Sequence, residues 1–181
     1  MSTPELAGVL DRLVRDVPDY PNPGVLFKDI TPLLGDAEGF RTVVDALVAG
    51  YETPTHSSSI DKVVGIEARG FIFAAPVAYR LGAGFVPVRK VGKLPAATYA
   101  ESYALEYGEA TLEVHTDAFA PGDRVLLVDD VLASGGTAAA TQRLVERAGG
   151  TVIGLSVLIE LSFLPGRAAI PGLAVQSLLV V

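Results

Sequence analysis

Residues 125–141 read VLLVDDVLASGGTAAAT, a run of apolar residues that ends in two adjacent acids and continues into small residues and an alanine-rich stretch. This order predicts a buried strand, a tight turn and a helix. Asp129 and Asp130 repel each other, and no Lys or Arg lies within four positions on either side of the pair. The pair therefore needs a partner from elsewhere in the fold or from a ligand.

The turn after the acids is suited to binding an anion. In open parallel sheets, ligands bind beyond the carboxyl ends of the strands. Small residues leave the backbone N–H groups accessible, and the first turn of the helix adds its own unpaired N–H groups and positive dipole end. A phosphate fits such a site. The candidate phosphate-binding residues are Ala133, Ser134, Gly135, Gly136 and Thr137.

Carboxylates beside a phosphate site are suited to accept hydrogen bonds from the neighbouring hydroxyls of a ribose. Phosphate on the turn and ribose hydroxyls on Asp129 and Asp130 together indicate a ribose 5-phosphate group. The alternative is a purely structural turn, in which one aspartate caps backbone N–H groups and the other is merely polar.

The rest of the chain alternates apolar strands with amphipathic helices. This pattern predicts an α/β fold with a parallel twisted sheet flanked by helices, in a single domain over residues 1–181. The expected helices are 4–17, 37–51, 71–81 and 136–148, and the expected strands are 62–66, 84–89, 124–128, 152–159 and 173–181, with a hairpin within 91–116.

Composition excludes several classes of protein. Half of the residues are hydrophobic and 19% are charged, which excludes a disordered chain. The net charge of −7 disfavours a nucleic-acid binder, and the absence of cysteine excludes disulfides and thiolate metal sites. His56 and His115 stand apart from other metal-ligating residues. The N-terminus resembles neither a signal peptide nor a membrane span, so we expect a cytoplasmic protein without a membrane partner.

Four segments carry a family resemblance. VLLVDDVLASGGT resembles the phosphoribosyl diphosphate (PRPP) motif of the type I phosphoribosyltransferases. PNPGVLFKDITPLL (21–34), GIEARGFIFAAPVA (65–78) and VRKVGKLPAATYAESYALEYG (88–108) resemble the adenine-specific members, in the expected order. The resemblance implies the type I phosphoribosyltransferase fold, with a small N-terminal hood at about 1–35 and a flexible flap at 91–116. It also implies a homodimer.

The resemblance implies a reaction in which adenine and PRPP give AMP and pyrophosphate. Mg²⁺ is the implied cofactor, held by PRPP and water and not directly by the protein. Asp129 and Asp130 would bind the 2′- and 3′-hydroxyls of the ribose.

The implied pyrophosphate site combines two segments. Glu67, Ala68 and Arg69 form a loop that often contains a cis non-proline peptide bond in the family. Arg69 could instead be a helix-start residue in a surface ion pair. The segment at Arg89, Lys90 and Lys93 supplies three cations, in some members across a dimer interface, although such a cluster is also typical of a solvated surface.

The implied base site comprises Leu26, Phe27 and Lys28, with Phe27 stacking on the purine and the backbone of its neighbours reading the edge that carries the 6-amino group. Phe27 could alternatively be an ordinary core residue. Family members commonly have arginine where this chain has Lys28, which matters if a planar side chain reads the base.

The implied catalytic residues are Glu106, Arg69 and Tyr107. Glu106 matches the glutamate that handles the proton on the imidazole edge of the purine, as general acid–base catalysis requires. It could instead be an exposed hairpin charge, because Glu101, Glu109 and Glu113 are equally available by composition. Residues 94–109 carry three tyrosines and are long for a plain hairpin, which is typical of a lid.

Other functions remain to be weighed. The nearest alternatives are a xanthine, guanine or orotate phosphoribosyltransferase. A PRPP-sensing regulator would need a DNA-binding domain or a basic surface, and a purely structural α/β subunit would leave the acid pair and the cations unexplained. No G-x-x-x-x-G-K-[ST] motif is present, so a P-loop nucleoside triphosphatase is not supported.

Overall fold

The computed structural model describes residues 4–51, 59–104 and 108–181. The N-terminal half begins with a helix, a two-stranded ribbon and two further helices. Its elements are α1 (Pro4–Leu13), β1 (Arg15–Pro18), β2 (Leu26–Asp29), α2 (Thr31–Gly35), α3 (Ala37–Val48), β3 (Lys62–Ile66), α4 (Gly70–Leu81) and β4 (Gly84–Lys90).

The C-terminal half adds a hairpin and a further strand–helix–strand unit. Its elements are β5 (Thr98–Ala104), β6 (Glu109–His115), β7 (Arg124–Leu132), α5 (Gly136–Arg147), β8 (Thr151–Glu160), a 3₁₀ turn at Gly166–Ala169 and β9 (Val175–Val180). The hairpin expected within 91–116 and the short final strand are confirmed.

A seven-stranded sheet in the order β5-β6-β4-β3-β7-β8-β9 organises the chain. The five strands β4, β3, β7, β8 and β9 are parallel, whereas β6 is antiparallel to both of its neighbours. The predicted parallel sheet is therefore confirmed for its centre, and the hairpin makes the whole sheet mixed. Since β3 and β7 are adjacent, their carboxyl ends at Ile66 and Leu132 lie on the same edge of the sheet.

Helices cover both faces of the sheet. Leu126 and Val128 of β7 pack into the cluster formed with α1, α3 and α4, whereas Val125 and Leu127 pack into the cluster on the α5 side. All four side chains are fully buried, and burying an aliphatic side chain of this size contributes about 1.5–3 kcal/mol. The continuous apolar run in the sequence is thus explained by a strand that is covered on both faces.

Two predicted boundaries were wrong near the site. The opening helix ends at Leu13, and residues 15–18 pair with β2, because Arg15 and Asp16 bond with Asp29 and Lys28 across the ribbon. The strand expected to end at Val128 continues to Leu132, which pairs with Glu160 of β8. The acid pair therefore lies within the strand and not after it.

The helix predicted over 37–51 ends earlier, at Val48. The side chain of Asp36 accepts a hydrogen bond from the backbone N–H of Gly39 and so caps the start of this helix. Within the residues that the structure describes, no helix is long and apolar enough to cross a membrane.

Candidate active site

The turn after β7 has the strand–turn–helix geometry that the sequence predicted for an anion-binding loop. Gly135 adopts φ 82°, which favours glycine, and α5 begins at the next residue. Thr137 lies in the first turn of α5, and Ser134 is exposed. A cavity of about 70 Å³ is lined by several of the predicted residues, among them Ala133, Ser134, Gly135 and Thr137, together with Asp129. The structure therefore brings the loop and the acid pair together.

The cation that the acid pair lacks in sequence comes from the turn between the neighbouring strand β3 and α4. A terminal guanidinium nitrogen of Arg69 lies 2.8 Å from Oδ2 of Asp130, whose side chain is 8% exposed. This oxygen is buried and accepts no hydrogen bond from the described residues, so the ion pair is close but poorly aligned. Oδ2 of Asp130 is therefore paired with a charge but lacks a hydrogen-bond donor among the described residues.

Asp129 is the more perturbed member of the pair. Its Oδ1 accepts a hydrogen bond from the backbone N–H of Asp130 at 2.9 Å. Burial, followed by the neighbouring charge of Asp130, raises the pKa of Asp129 well above its usual value. Such a carboxylate is stabilised by a ligand that donates hydrogen bonds to it.

The turn between β3 and α4 packs directly against the acid pair. The Glu67–Ala68 peptide bond is cis, as the resemblance implied. A Cβ atom at Gly70 would lie 2.8 Å from Oδ1 of Asp129, so only glycine allows this approach. The second anion-binding segment and the acid pair are thus neighbours on one edge of the sheet.

The carboxylate of Glu67 is already occupied. It accepts hydrogen bonds from Arg89 at 3.1 Å and from the backbone N–H of Lys90 at 2.9 Å. Burial raises the pKa of Glu67, but the bonds from Lys90 and Arg89 outweigh it, and the net pKa is lowered. Glu67 therefore ties the two predicted pyrophosphate segments together.

The basic segment after β4 is held by a buried acid that the sequence analysis did not select. Glu113 accepts a hydrogen bond from the backbone N–H of Gly92 at 2.9 Å and is 9% exposed. Arg89 donates to the backbone oxygen of Lys93 at 3.1 Å, whereas Lys90 and Lys93 are exposed. The three predicted cations thus lie at the end of β4 and just after it, and the two lysines face solvent.

The N-terminal ribbon places the predicted base-binding residues beside Arg69. The guanidinium carbon of Arg69 lies 5.3 Å from the centre of the Phe27 ring, and Tyr20 meets the same ring edge-on at 5.1 Å. Phe27 is partly exposed, so it is not an ordinary core residue. Leu26 is 53% exposed, and Lys28 donates to Asp16 at 2.6 Å.

The hairpin of β5 and β6 contacts the anion-binding loop. Oγ1 of Thr137 donates to the hydroxyl oxygen of Tyr103 at 3.1 Å, and the Tyr103 ring lies beside Gly136. Arg147 of α5 covers the ring of Tyr99 at 4.7 Å. Glu106 and Tyr107 lie outside the described residues.

Tyr103, Glu113 and Tyr20 were missed by the sequence analysis. Alternation along β5 and β6 could have indicated which hairpin side chains face the sheet. Nothing local indicated that Tyr20 would meet Phe27. His115 is a structural residue, because its ring contacts the backbone oxygen of Pro95 at 2.9 Å, and His56 lies outside the described residues.

Comparison with known proteins gives a consistent result. The phosphoribosyl transferase domain family matches residues 40–163. The chain is 61% identical, over the full length of both proteins, to an adenine phosphoribosyltransferase of Thermobifida fusca.

Solved structures agree with this match. An adenine phosphoribosyltransferase of Rhodothermus marinus superposes with a TM-score of 0.91 at 53% identity, covering 99% of this chain and all of the other. The Saccharomyces cerevisiae enzyme, solved with an imino-altritol bisphosphate and adenine, gives a TM-score of 0.91 at 36% identity, covering 97% and 99% of the two chains.

Proposed function

The chain belongs to the phosphoribosyl transferase family and to its adenine-specific branch, and from this we propose how its residues transfer a phosphoribosyl group. The enzyme moves the 5-phosphoribosyl group of PRPP to adenine, giving AMP and pyrophosphate, a reaction of purine salvage. The observation that carries the assignment of roles is the position of Arg69. Its guanidinium lies between Asp130 and Phe27, which brings an acid suited to ribose and a ring suited to a purine together.

The sugar phosphate occupies the loop and the acid pair. Backbone N–H groups at residues 133–137, with the hydroxyls of Ser134 and Thr137, bind the 5-phosphate at the start of α5. Asp129 and Asp130 accept hydrogen bonds from the 2′- and 3′-hydroxyls. The raised pKa of Asp129 supports this role, because a carboxylate that is buried beside a second acid is stabilised by hydroxyl groups that donate hydrogen bonds to it.

The base stacks on the exposed face of Phe27, which offers a flat apolar surface. Backbone groups of Leu26 and Lys28 read the edge that carries the 6-amino group. Nζ of Lys28 donates a hydrogen bond to Asp16 on the other strand of the ribbon. This supports recognition of the base by the backbone of Lys28 and not by its side chain.

Pyrophosphate leaves toward the cationic side of the site. Ala68 presents its backbone, and Arg69, Arg89, Lys90 and Lys93 supply positive charge. The exposed lysines give an acidic protein the local positive field that a polyanionic substrate needs. Glu67 positions Arg89 and the backbone of Lys90 for this task.

In the chemical step, N9 of adenine forms a bond to the anomeric carbon as the bond from that carbon to the pyrophosphate oxygen breaks. We assign to Glu106 the transfer of the proton on the imidazole edge, with Arg69 stabilising the leaving group. Tyr107 and the flap at 91–116 close over the site and exclude water, which would otherwise intercept the oxocarbenium-like carbon.

We propose that Mg²⁺ enters with PRPP. The described residues contain no cluster of three or more acids or histidines that could hold a metal ion by itself. PRPP and water supply the ligands of the ion, and the charge of Asp129 and Asp130 beside the sugar site favours a cation there without direct coordination by the protein. When bound, the ion neutralises charge on the pyrophosphate. A homodimer working in the cytoplasm completes the proposal.

Release of pyrophosphate from PRPP tests the function when adenine, guanine, xanthine and orotate are supplied in turn. Turnover with adenine and none with the other bases is expected. The enzymes for other bases and the PRPP-sensing regulator are not favoured, because curated relatives that are 61% and 65% identical over 100% and 92% of this chain are named adenine phosphoribosyltransferases. Preference for another base, or PRPP binding without turnover, would contradict the assignment.

A further inference from the structure

The anion-binding loop rests on a turn that the reaction itself does not use. A Cβ atom at Gly135 would lie 2.3 Å from the backbone oxygen of Gly166, in the 3₁₀ turn after β8. In the opposite direction, a Cβ atom at Gly166 would lie 2.4 Å from the backbone oxygen of Ala133. The two backbones therefore touch at two points, with no room for a methyl group at either.

An ion pair fixes this turn to the ends of two strands. Arg167 donates to both carboxylate oxygens of Glu160, from Nε at 2.6 Å and from a terminal nitrogen at 2.7 Å. Such a two-point contact fixes the orientation of the guanidinium as well as its distance. Ser177 of β9 donates to the same carboxylate, and a second terminal nitrogen of Arg167 donates to the backbone oxygen of Val175 at 3.4 Å.

The strand that ends at Glu160 pairs with the strand that leads into the loop. Glu160 pairs with Leu132 of β7, and the backbone N–H of Leu161 donates to the oxygen of Leu132 at 3.0 Å. The far end of the turn is anchored by Ile170, which is 2% exposed. The ion pair and the apolar anchor thus hold the turn from both ends.

The position of Arg167 argues against a role in stability alone. Its side chain is 53% exposed, whereas that of Glu160 is 11% exposed, and half-exposed pairs contribute little to the free energy of unfolding. The ion pair instead fixes the position of the turn, and that position determines the backbone contact between Gly166 and Gly135.

We propose that Glu160 and Arg167 are positioning residues that hold the Gly166 turn against the loop at 133–137 and thereby set its affinity for the 5-phosphate. This inference rests on the proposed function, since it takes the loop to be the phosphate site. Neither side chain is assigned a contact with substrate.

Gly166→Ala is the direct test, because the added methyl group must displace the loop or the turn. We expect at least about a tenfold rise in the KM for PRPP and in the calorimetric Kd for ribose 5-phosphate, as for the loss of one hydrogen bond to a charged group. The KM for adenine should change less than about twofold, because adenine does not contact the loop. Gly35→Ala is the matched control, since a Cβ atom there meets nothing within 4 Å.

The ion pair is tested by Arg167→Lys, Glu160→Gln and the double variant. Each single variant should raise the KM for PRPP about threefold to tenfold, and the double variant no more than the larger single effect, because the two residues act as one unit. Unchanged ribose 5-phosphate affinity, or a parallel rise in both KM values, would overturn the inference.

These outcomes separate the inference from the function on which it rests. If the unaltered enzyme fails to form AMP, the proposed function fails, while ribose 5-phosphate binding still decides the role of the turn. If the unaltered enzyme forms AMP and the Gly166→Ala variant binds ribose 5-phosphate as tightly as the unaltered enzyme does, only the inference about the turn fails. Should Gly166→Ala not fold, the two charge-pair variants decide.

Discussion

Arg69 contacts Asp130, on the strand that leads into the loop at residues 133–137, and Phe27 of β2. The loop and β2 are held by different forces. The loop ends a nine-residue strand with a buried interior, and its glycine contacts a second backbone directly. Strand β2 has four residues and pairs only with β1 among the described strands. Its side chains are held by Arg15–Asp29 and Lys28–Asp16, ion pairs in which one partner is more than half exposed.

This difference indicates whether the loop and β2 reach their ligand-binding conformations before or after the ligand binds. Surface ion pairs contribute about 0–1 kcal/mol each, so the base side can adjust as a ligand enters. The loop is in direct backbone contact with the Gly166 turn, which leaves it less room to adjust. We call the loop and the acid pair the phosphate side of the site, and β2 with the flap the base side. We expect the phosphate side to be formed before PRPP binds and to provide affinity for it. We expect the base side to provide base selectivity and catalysis after the substrates have bound.

The largest expected effect comes from the chemistry at the base. Glu106→Ala should lower kcat by about 10²- to 10³-fold, as the loss of a general acid–base group does, with a smaller change in the Kd for PRPP. Single-turnover rates and calorimetry measure the two quantities separately. Glu109→Ala is the control, since Glu109 is exposed at the start of β6. Equal losses in rate and affinity would show that Glu106 acts in binding and not in proton transfer.

Asp130→Asn should produce the next largest effect, on the phosphate side. A hydrogen bond to a charged group contributes about 1.5–3 kcal/mol, so the Kd for AMP should rise about 10- to 100-fold. The cause is the lost charge on a carboxylate whose buried Oδ2 accepts no hydrogen bond from the described residues. Isothermal titration with AMP and with adenine separates the two sides. An unchanged Kd for AMP would remove the ribose role of Asp130.

The sequence predicted the phosphate side better than the base side, for a physical reason. Strand, acids, turn and helix are consecutive between residues 125 and 148, so local pattern determines their geometry. The partners of this unit, Arg69 and Gly166, come from distant positions, and no local pattern shows that Asp130 will meet Arg69 or that Gly135 will meet Gly166. Strand β1 fell inside the helix predicted over 4–17 because Val17 continues the apolar period of Leu10 and Leu13, while the partners of β1 lie beyond a proline-rich turn.

Phe27→Ala tests whether the base side acts through stacking. Base–aromatic stacking contributes about 1–3 kcal/mol, so the KM for adenine should rise about tenfold or more. Ribose 5-phosphate affinity should stay unchanged, because the ring is not part of the loop. Phe163→Ala is a suitable control, since Phe163 is 75% exposed. If the affinities for adenine and for ribose 5-phosphate fall together, the Phe27 ring acts by holding Arg69 in place and not by stacking on the base.

Asp129→Asn tests whether the phosphate side is strained before ligand binds. The pKa of Asp129 is raised by burial and by Asp130, so the folded protein binds this proton more tightly than the unfolded chain does. Its ionisation therefore costs stability as the pH rises from the unfolded pKa toward the folded one. The variant should have a higher Tm than the unaltered protein at pH 7, and the difference should shrink toward pH 4. A Tm of Asp129→Asn below that of the unaltered protein at pH 7 would show that the ionised Asp129 does not destabilise the fold.

The smallest effect should come from Asp16→Asn, which removes the partner of Lys28 at the outer strand of the ribbon. The free energy of unfolding should change by less than about 0.5–1 kcal/mol, as for other exposed pairs, measured by urea denaturation. The KM for adenine should change less than twofold, because backbone groups at Leu26 and Lys28 read the base and the strand pairing holds them. If Asp16→Asn raises the KM for adenine as much as Phe27→Ala does, the Lys28–Asp16 ion pair holds the base-binding residues in place before adenine binds. The contrast with the loop would then be one of degree, since both halves of the site would be built before substrate arrives.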